Sequence, residues 1–293
     1  MSPEVTWDDA AYACPEGQPL LARIYRPRTS PAEPWPLLVD VHGGAWTYFN
    51  REVDWYFDSA LAAAGMVVIA LDFRQAPTRY PAAVADVVAG IRWAKAHARE
   101  LGARAVDVGL IGGSSGGHLL MLAALRPSAP ELATTFVADA AGVDARVAYA
   151  LPLWPILDPP ARYRYLLERQ ADPTPPRDPF FVPGRLIESH RMFFGDEATM
   201  ARASALRVVE SGEAECLPPI WIAHPELDEN VTLPMTERFV AAYRRAGGEA
   251  ELEVFPGVGH SFANFPGEAA DRCIERMRAF ICRRLAVVEG PRR

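Results

Sequence analysis

With 293 residues, a net charge of −7 and half its residues hydrophobic, the chain has the balance of an ordinary soluble protein, long enough for one large α/β domain or two small ones. The negative charge, with no long Lys/Arg run, argues against a nucleic-acid partner. No apolar stretch reaches the length of a membrane span, and the first twelve residues, which include Glu4, Asp8 and Asp9, lack the apolar core of a secretory signal.

A cytoplasmic location without a membrane partner is therefore expected. Cys14, Cys216, Cys273 and Cys282 are scattered, without C-x-x-C or Cys/His ligand spacing, and read as reduced thiols. No metal and no organic cofactor are expected.

In chain order, residues 20–25 (LLARIY) read as an early strand, suited to an antiparallel lead-in. Residues 36–41 (PLLVDV) and 66–71 (MVVIAL) are short apolar runs of the kind that form buried parallel strands. Between them lies His42-Gly43-Gly44-Ala45-Trp46. A backbone that must aim N–H groups at an oxyanion cannot be crowded by side chains, which accounts for the glycines. Gly44 and Ala45 are the expected donors, with the amide of Ser115 as a third. A helix is predicted over 81–100, with Val84, Val87, Val88, Ile91 and Ala94 on one stripe.

Residues 106–111 (VDVGLI) form the next predicted strand, followed by Gly112-Gly113-Ser114-Ser115-Gly116-Gly117 and an almost wholly apolar helix over 116–125. A nucleophile elbow needs that context: the strand-to-helix turn is so tight that small residues must flank the serine. Both serines satisfy G-x-S-x-G. Ser114 is preferred, because it leaves Ser115 as the first helical residue with its N–H free for an oxyanion.

A strand over 147–153 precedes residues 155–204, a segment rich in proline and in aromatics such as Phe180, Phe181, Phe193 and Phe194. It reads as an irregular insertion, a cap or lid over the site, and the whole of 1–293 as one domain. The remaining elements are strands over 219–223 (PIWIA) and 251–255 (ELEVF), and helices over 234–245 and 268–285. After the first of these strands stands His224-Pro225-Glu226-Leu227-Asp228-Glu229. Asp228 is the expected acid by position, with Glu226 and Glu229 as weaker candidates. After the last strand stands Gly257-Val258-Gly259-His260, where a base on a glycine loop can reach a serine.

Of the six histidines, His260 is the expected base. His42 is expected to brace its turn, His97 to be solvated, and His118 to pack or hydrogen-bond inside its helix. Strands alternating with helices imply an α/β fold, with a mostly parallel sheet covered on both faces. Every candidate group follows a strand, and in such a sheet those ends form one crevice. The order oxyanion loop, Ser, Asp, His matches the α/β-hydrolase order. Trp46, Trp154 and Phe193 are candidates to line a substrate pocket there.

From about Trp35 onward the chain resembles the esterase branch of the α/β-hydrolase superfamily related to hormone-sensitive lipase. The resemblance rests on HGGAW and GGSSGG, on Asp72-Phe73-Arg74-Gln75-Ala76-Pro77 and on Tyr80-Pro81-Ala82-Ala83. It implies a serine carboxylesterase acting on a small-molecule acyl substrate, with Ser114, Asp228 and His260 as triad and no cofactor. The H-G-G-x-W form is also similar to kynurenine formamidases, which makes formamide hydrolysis an alternative. A non-catalytic, ligand-binding protein of the same fold is a third reading, against which the three intact triad residues argue.

Overall fold

The computed structural model describes residues 4–29, 33–135 and 137–289. Eight strands form one sheet in the order β1-β2-β4-β3-β5-β6-β7-β8. Strands β3 (Leu37–Val41), β4 (Val67–Leu71), β5 (Gly109–Gly113), β6 (Tyr149–Leu153), β7 (Ile220–Pro225) and β8 (Ala250–Phe255) run parallel. β2 (Leu20–Pro27) pairs antiparallel with β4, as the lead-in reading expected. The strand order reverses around β3, whose neighbours are β4 on one side and β5 on the other. At such a switch point the loops after adjacent strands splay apart and leave a crevice.

Strand β1 (Val5–Ala13) was not expected. Its VTWDDAAYA has no clean alternation, and Asp8-Asp9 argue against a strand. Cross-strand charge resolves this: Asp9 lies opposite Arg23 on β2 and the two pair at 2.9 Å, while Asp8 pairs with Arg26. β5 starts later and runs further than expected, because Val106 is exposed and the strand continues through Gly112-Gly113.

Helices cover both faces: α1 (Trp55–Ala63), α2 (Ala82–His97), α3 (Ser114–Leu125), α4 (Pro159–Ala171), α5 (Pro183–Phe194), α6 (Glu197–Arg202), α7 (Ala205–Glu210), α8 (Leu233–Arg245) and α9 (Glu268–Glu289). Helix α3 is buried along its whole length, as its apolar sequence requires. The expected irregular insertion is a correction. Residues 155–204 are mostly helical: Pro159, Pro160 and Pro183 stand in the first turns of α4 and α5, while Pro173, Pro175, Pro176 and Pro179 fall in the irregular stretch between the two helices. Proline is tolerated in a first turn because the first amides of a helix have no intrahelical acceptor. Only 172–182 between them lacks regular structure.

Two apolar layers sandwich the sheet, one joined to α2, α3 and the 155–204 helices, the other to α1 and α9. Among the described residues no helix is long and apolar enough to cross a membrane.

Candidate active site

The elbow is built by crowding. A Cβ on Gly116 would lie 1.8 Å from the Val41 carbonyl oxygen, and one on Gly112 would lie 2.2 Å from the same atom. Only glycine lets α3 start this close to the end of β3. Between them Ser114 sits at φ +54°, a left-handed conformation that a non-glycine residue holds only when its surroundings enforce it. The turn lifts the Ser114 side chain above the sheet edge, and the residue remains 7% exposed.

His260, on the loop after β8, meets it there. Ser114 Oγ stands 2.9 Å from His260 Nε2, and His260 Nδ1 stands 2.8 Å from Asp228 Oδ2. The other oxygen, Asp228 Oδ1, accepts the amides of Asn230 at 2.7 Å and Val231 at 2.9 Å. With Nδ1–H donated to the carboxylate, Nε2 is left to accept the serine proton. The weaker acid candidates are engaged elsewhere: Glu226 accepts the Gly257 amide at 2.8 Å, and Glu229 accepts the Asp178 amide at 2.8 Å.

The His42–Trp46 loop lies against the serine. The Cβ position of Gly43 is 3.5 Å from Ser114 Cβ. Gly44 (φ +113°), Ala45 (φ +51°) and Trp46 (φ +59°) all take positive φ, which the two non-glycine residues hold only where their surroundings enforce it. Among the described residues the amides of Gly44, Ala45 and Ser115, the last at the start of α3, have no protein acceptor. His42 braces the loop, its Nδ1 lying 2.7 Å from the Gly43 carbonyl and its ring stacked on Phe73, and burial pulls it down to about 4, so it is neutral.

Trp46, Trp154 and Phe193 do not line an open pocket. They are 0%, 1% and 0% exposed. Trp46 stacks on Phe193 and donates its indole N–H to His118 Nδ1 at 3.0 Å, and His118 Nε2 donates to the Ala203 carbonyl at 2.7 Å. The bulk of these aromatics is spent locking the His42–Trp46 loop onto α3. Trp154 packs beneath the site, with its ring edge-on to His260 and its Nε1 2.8 Å from where a Cβ on Gly113 would be.

Two supports were not legible in the sequence. Arg162 of α4 reaches the Asp228 loop. Asn264, four residues past His260, donates to Asp54 at 2.5 Å, which ties the histidine loop to the start of α1. Asp54 is buried beside Asp40 and Asp58, and none of the three has a cationic partner among the described residues. Burial, against the Asn264 bond, pushes Asp54 up to about 7, and burial with neighbouring carboxylates also raises Asp40 and Asp58 well above the usual carboxylate range.

The sign follows from linkage. Between its ordinary 3.8 and about 7, Asp54 is ionised in the unfolded chain and protonated in the folded one. Its contribution to stability is complete below that window and is lost as pH rises through it. Asp54→Asn keeps an acceptor for Asn264 without the charge. The difference in melting temperature between the variant and wild type should grow in the variant's favour from pH 4 to pH 8 (about the span of that window). A difference that stays flat across this range would contradict the buried-acid account. Among the described residues no three His, Cys, Asp or Glu side chains converge as metal ligands.

A family model described as alpha/beta hydrolase fold matches residues 38–264. Esterase LipC of Mycobacterium tuberculosis is 31% identical over 251 residues, which make up 83% of this chain and 57% of LipC. The chain thus spans little more than half the length of LipC, and 55% of Esterase LipQ from the same organism. Among solved structures, a thermophilic esterase from the Planctomycetes species Thermogutta terrifontis, with propionate bound, is similar at TM-score 0.71 and 25% identity, covering 96% of this chain and 94% of that one. A bacterial heroin esterase shares the fold at TM-score 0.77 and 22% identity, over 97% and 86% of the two chains. These relatives bear out the resemblance read from HGGAW and GGSSGG. The family match runs from β3 to the loop that carries His260, so it takes in every strand end that builds this crevice, and the chain belongs to the α/β-hydrolase fold family.

Proposed function

We propose that this protein is a serine carboxylesterase that cleaves small to medium esters through Ser114, His260 and Asp228. The single observation that carries the reading is the continuous hydrogen-bonded line from Ser114 Oγ to His260 to Asp228, at 2.9 and 2.8 Å. His260 Nε2 takes the proton as Oγ attacks the ester carbonyl. Asp228 holds the imidazole in the tautomer that can accept it and stabilises the cation that forms. Negative charge develops on the carbonyl oxygen, and the unpaired amides of Gly44, Ala45 and Ser115 receive it. Each such donor is worth about 3 kcal/mol in the transition state.

The imidazolium then protonates the departing alkoxide. Water attacks the acyl-Ser114 ester by the reverse proton route and frees the acid. The esterase names of the relatives support an ester over a formamide, and the propionate held by the Thermogutta esterase supports a short acyl group. We read 155–204 as the cap of a single domain, since its helices supply the aromatics packed behind the oxyanion loop.

The test compares kcat/KM for p-nitrophenyl acetate, butyrate and octanoate with that for N-formylkynurenine. The esters should be preferred, with an initial burst of p-nitrophenol matching one acyl group per chain. Faster turnover of the formamide would overturn the ester assignment.

A further inference from the structure

We propose that Arg162 is a positioning residue for the triad acid, gripping Asn230 from helix α4 and thereby fixing Asp228. The inference rests on the hydrolase reading above and adds to it a part of the machinery supplied by the 155–204 segment.

Arg162 is 1% exposed, and a guanidinium is among the least tolerated groups in a protein interior unless its donors are met. Here they are. Nε donates to the Asn230 carbonyl at 3.0 Å, and Nη2 donates to the Asn230 side-chain oxygen. Nη1 donates to His190 Nε2 at 2.7 Å. Asn230 is thus held at two points, main chain and side chain, by one rigid fork. Its own N–H donates to Asp228 Oδ1 at 2.7 Å, so the residue Arg162 fixes is the one that orients the carboxylate.

The same helix face holds the preceding residue. Tyr165, one turn along α4, donates its hydroxyl to the Glu229 carbonyl at 2.9 Å. Helix α4 therefore captures the carbonyls of 229 and 230, while the amides of 230 and 231 face the carboxylate. The loop is clamped from both sides.

The histidine under the guanidinium completes the platform. His190 accepts through Nε2, which requires the neutral ring. Burial and the adjacent Arg162 charge hold it well below its usual range. Burial pulls Arg162 down to about 10, opposed by the Asp228 charge, so it stays protonated at neutral pH. The His190 ring packs edge-on against Trp46 of the oxyanion loop, with centroids 4.9 Å apart. Arg162 thus ties the acid loop to the same aromatic block that fixes the oxyanion loop. Lysine can replace it only in part, because a single ammonium does not supply a planar fork to two oxygens and an imidazole at once.

The test uses the full chain with p-nitrophenyl butyrate and with a fluorophosphonate that labels an activated serine. Arg162→Met should keep KM near wild type and lower both kcat and the labelling rate by about 10–100-fold, the scale expected when a catalytic group is displaced by about an ångström. Arg162→Lys should recover only part of the loss. Asn230→Ala removes one of the two grips and should show a smaller fall in kcat. The double variant should be no slower than Arg162→Met alone, since both changes break one link.

A folded Arg162→Met with wild-type kcat and labelling overturns the inference, as does a loss that appears in KM instead of kcat. If Arg162→Met does not fold, Asn230→Ala decides: wild-type kcat in that variant overturns the proposal. A wild-type chain that neither labels nor turns over ester overturns the functional reading and this inference with it. A labelled wild type beside an equally labelled Arg162→Met overturns the inference alone.

Discussion

Ser114→Ala should lower kcat on p-nitrophenyl butyrate by about 10⁵-fold or more, with KM little changed. The size follows from what the hydroxyl does. In the proposed mechanism it forms the acyl-enzyme, and it is the hydroxyl that lies 2.9 Å from His260 Nε2. The neighbouring Ser115 cannot take over. Its side chain is fully buried and its Oγ has no hydrogen-bond partner, so it has no base. Residual turnover should be that of an oxyanion pocket acting on water, still above the uncatalysed rate. Two measurements check the assignment. Steady-state kinetics give the fall in kcat, and peptide mass spectrometry of the fluorophosphonate adduct locates the modified residue. An adduct on Ser115, or a variant that keeps a tenth of wild-type kcat, would remove Ser114 from the mechanism.

The elbow was legible because its demands are local and steric. Gly112 and Gly116 are forced by the Val41 carbonyl oxygen, and small residues around a serine between strand and helix leave a string that any reader can find. The parallel strands were legible for a similar reason: burial on both faces leaves short, wholly apolar runs. Residues 155–204 misled because proline carries two meanings. It breaks a helix interior but begins a helix well, and Pro159, Pro160 and Pro183 do the latter. The pocket candidates misled because an aromatic beside a catalytic motif can serve the motif as well as the substrate. Trp46 does so through His118.

Arg162 and Asn264 carry no sequence signal at all. A surface arginine on a polar helix and a buried one gripping an asparagine 68 positions away look the same until the chain is folded. What the sequence encodes locally is the reacting group; what it leaves to tertiary structure is the support of that group.

Asp228→Asn tests that division at its sharpest, and should cost kcat about 10⁴-fold while leaving the fold intact. The substitution is nearly isosteric, so a purely structural role for Asp228 predicts a small effect. The large one comes from two backbone amides. Asn230 and Val231 both donate to Oδ1, so an asparagine there must place its oxygen on them and turn its NH₂ toward His260. A donor now faces Nδ1 and requires it to be the unprotonated nitrogen. The proton moves to Nε2, which then points a donor at Ser114 Oγ and cannot accept its proton. The imidazole is in place but in the wrong tautomer. At about 1.4 kcal/mol per decade, this loss corresponds to between 5 and 6 kcal/mol of transition-state stabilisation. Neither Glu226 nor Glu229 can substitute, since the amides of Gly257 and Asp178 hold them. KM should stay near wild type and the melting temperature should change little. An Asp228→Asn variant within tenfold of wild-type kcat would mean that His260 takes its orientation from another group, and the grip of Arg162 on Asn230 would then have no catalytic purpose.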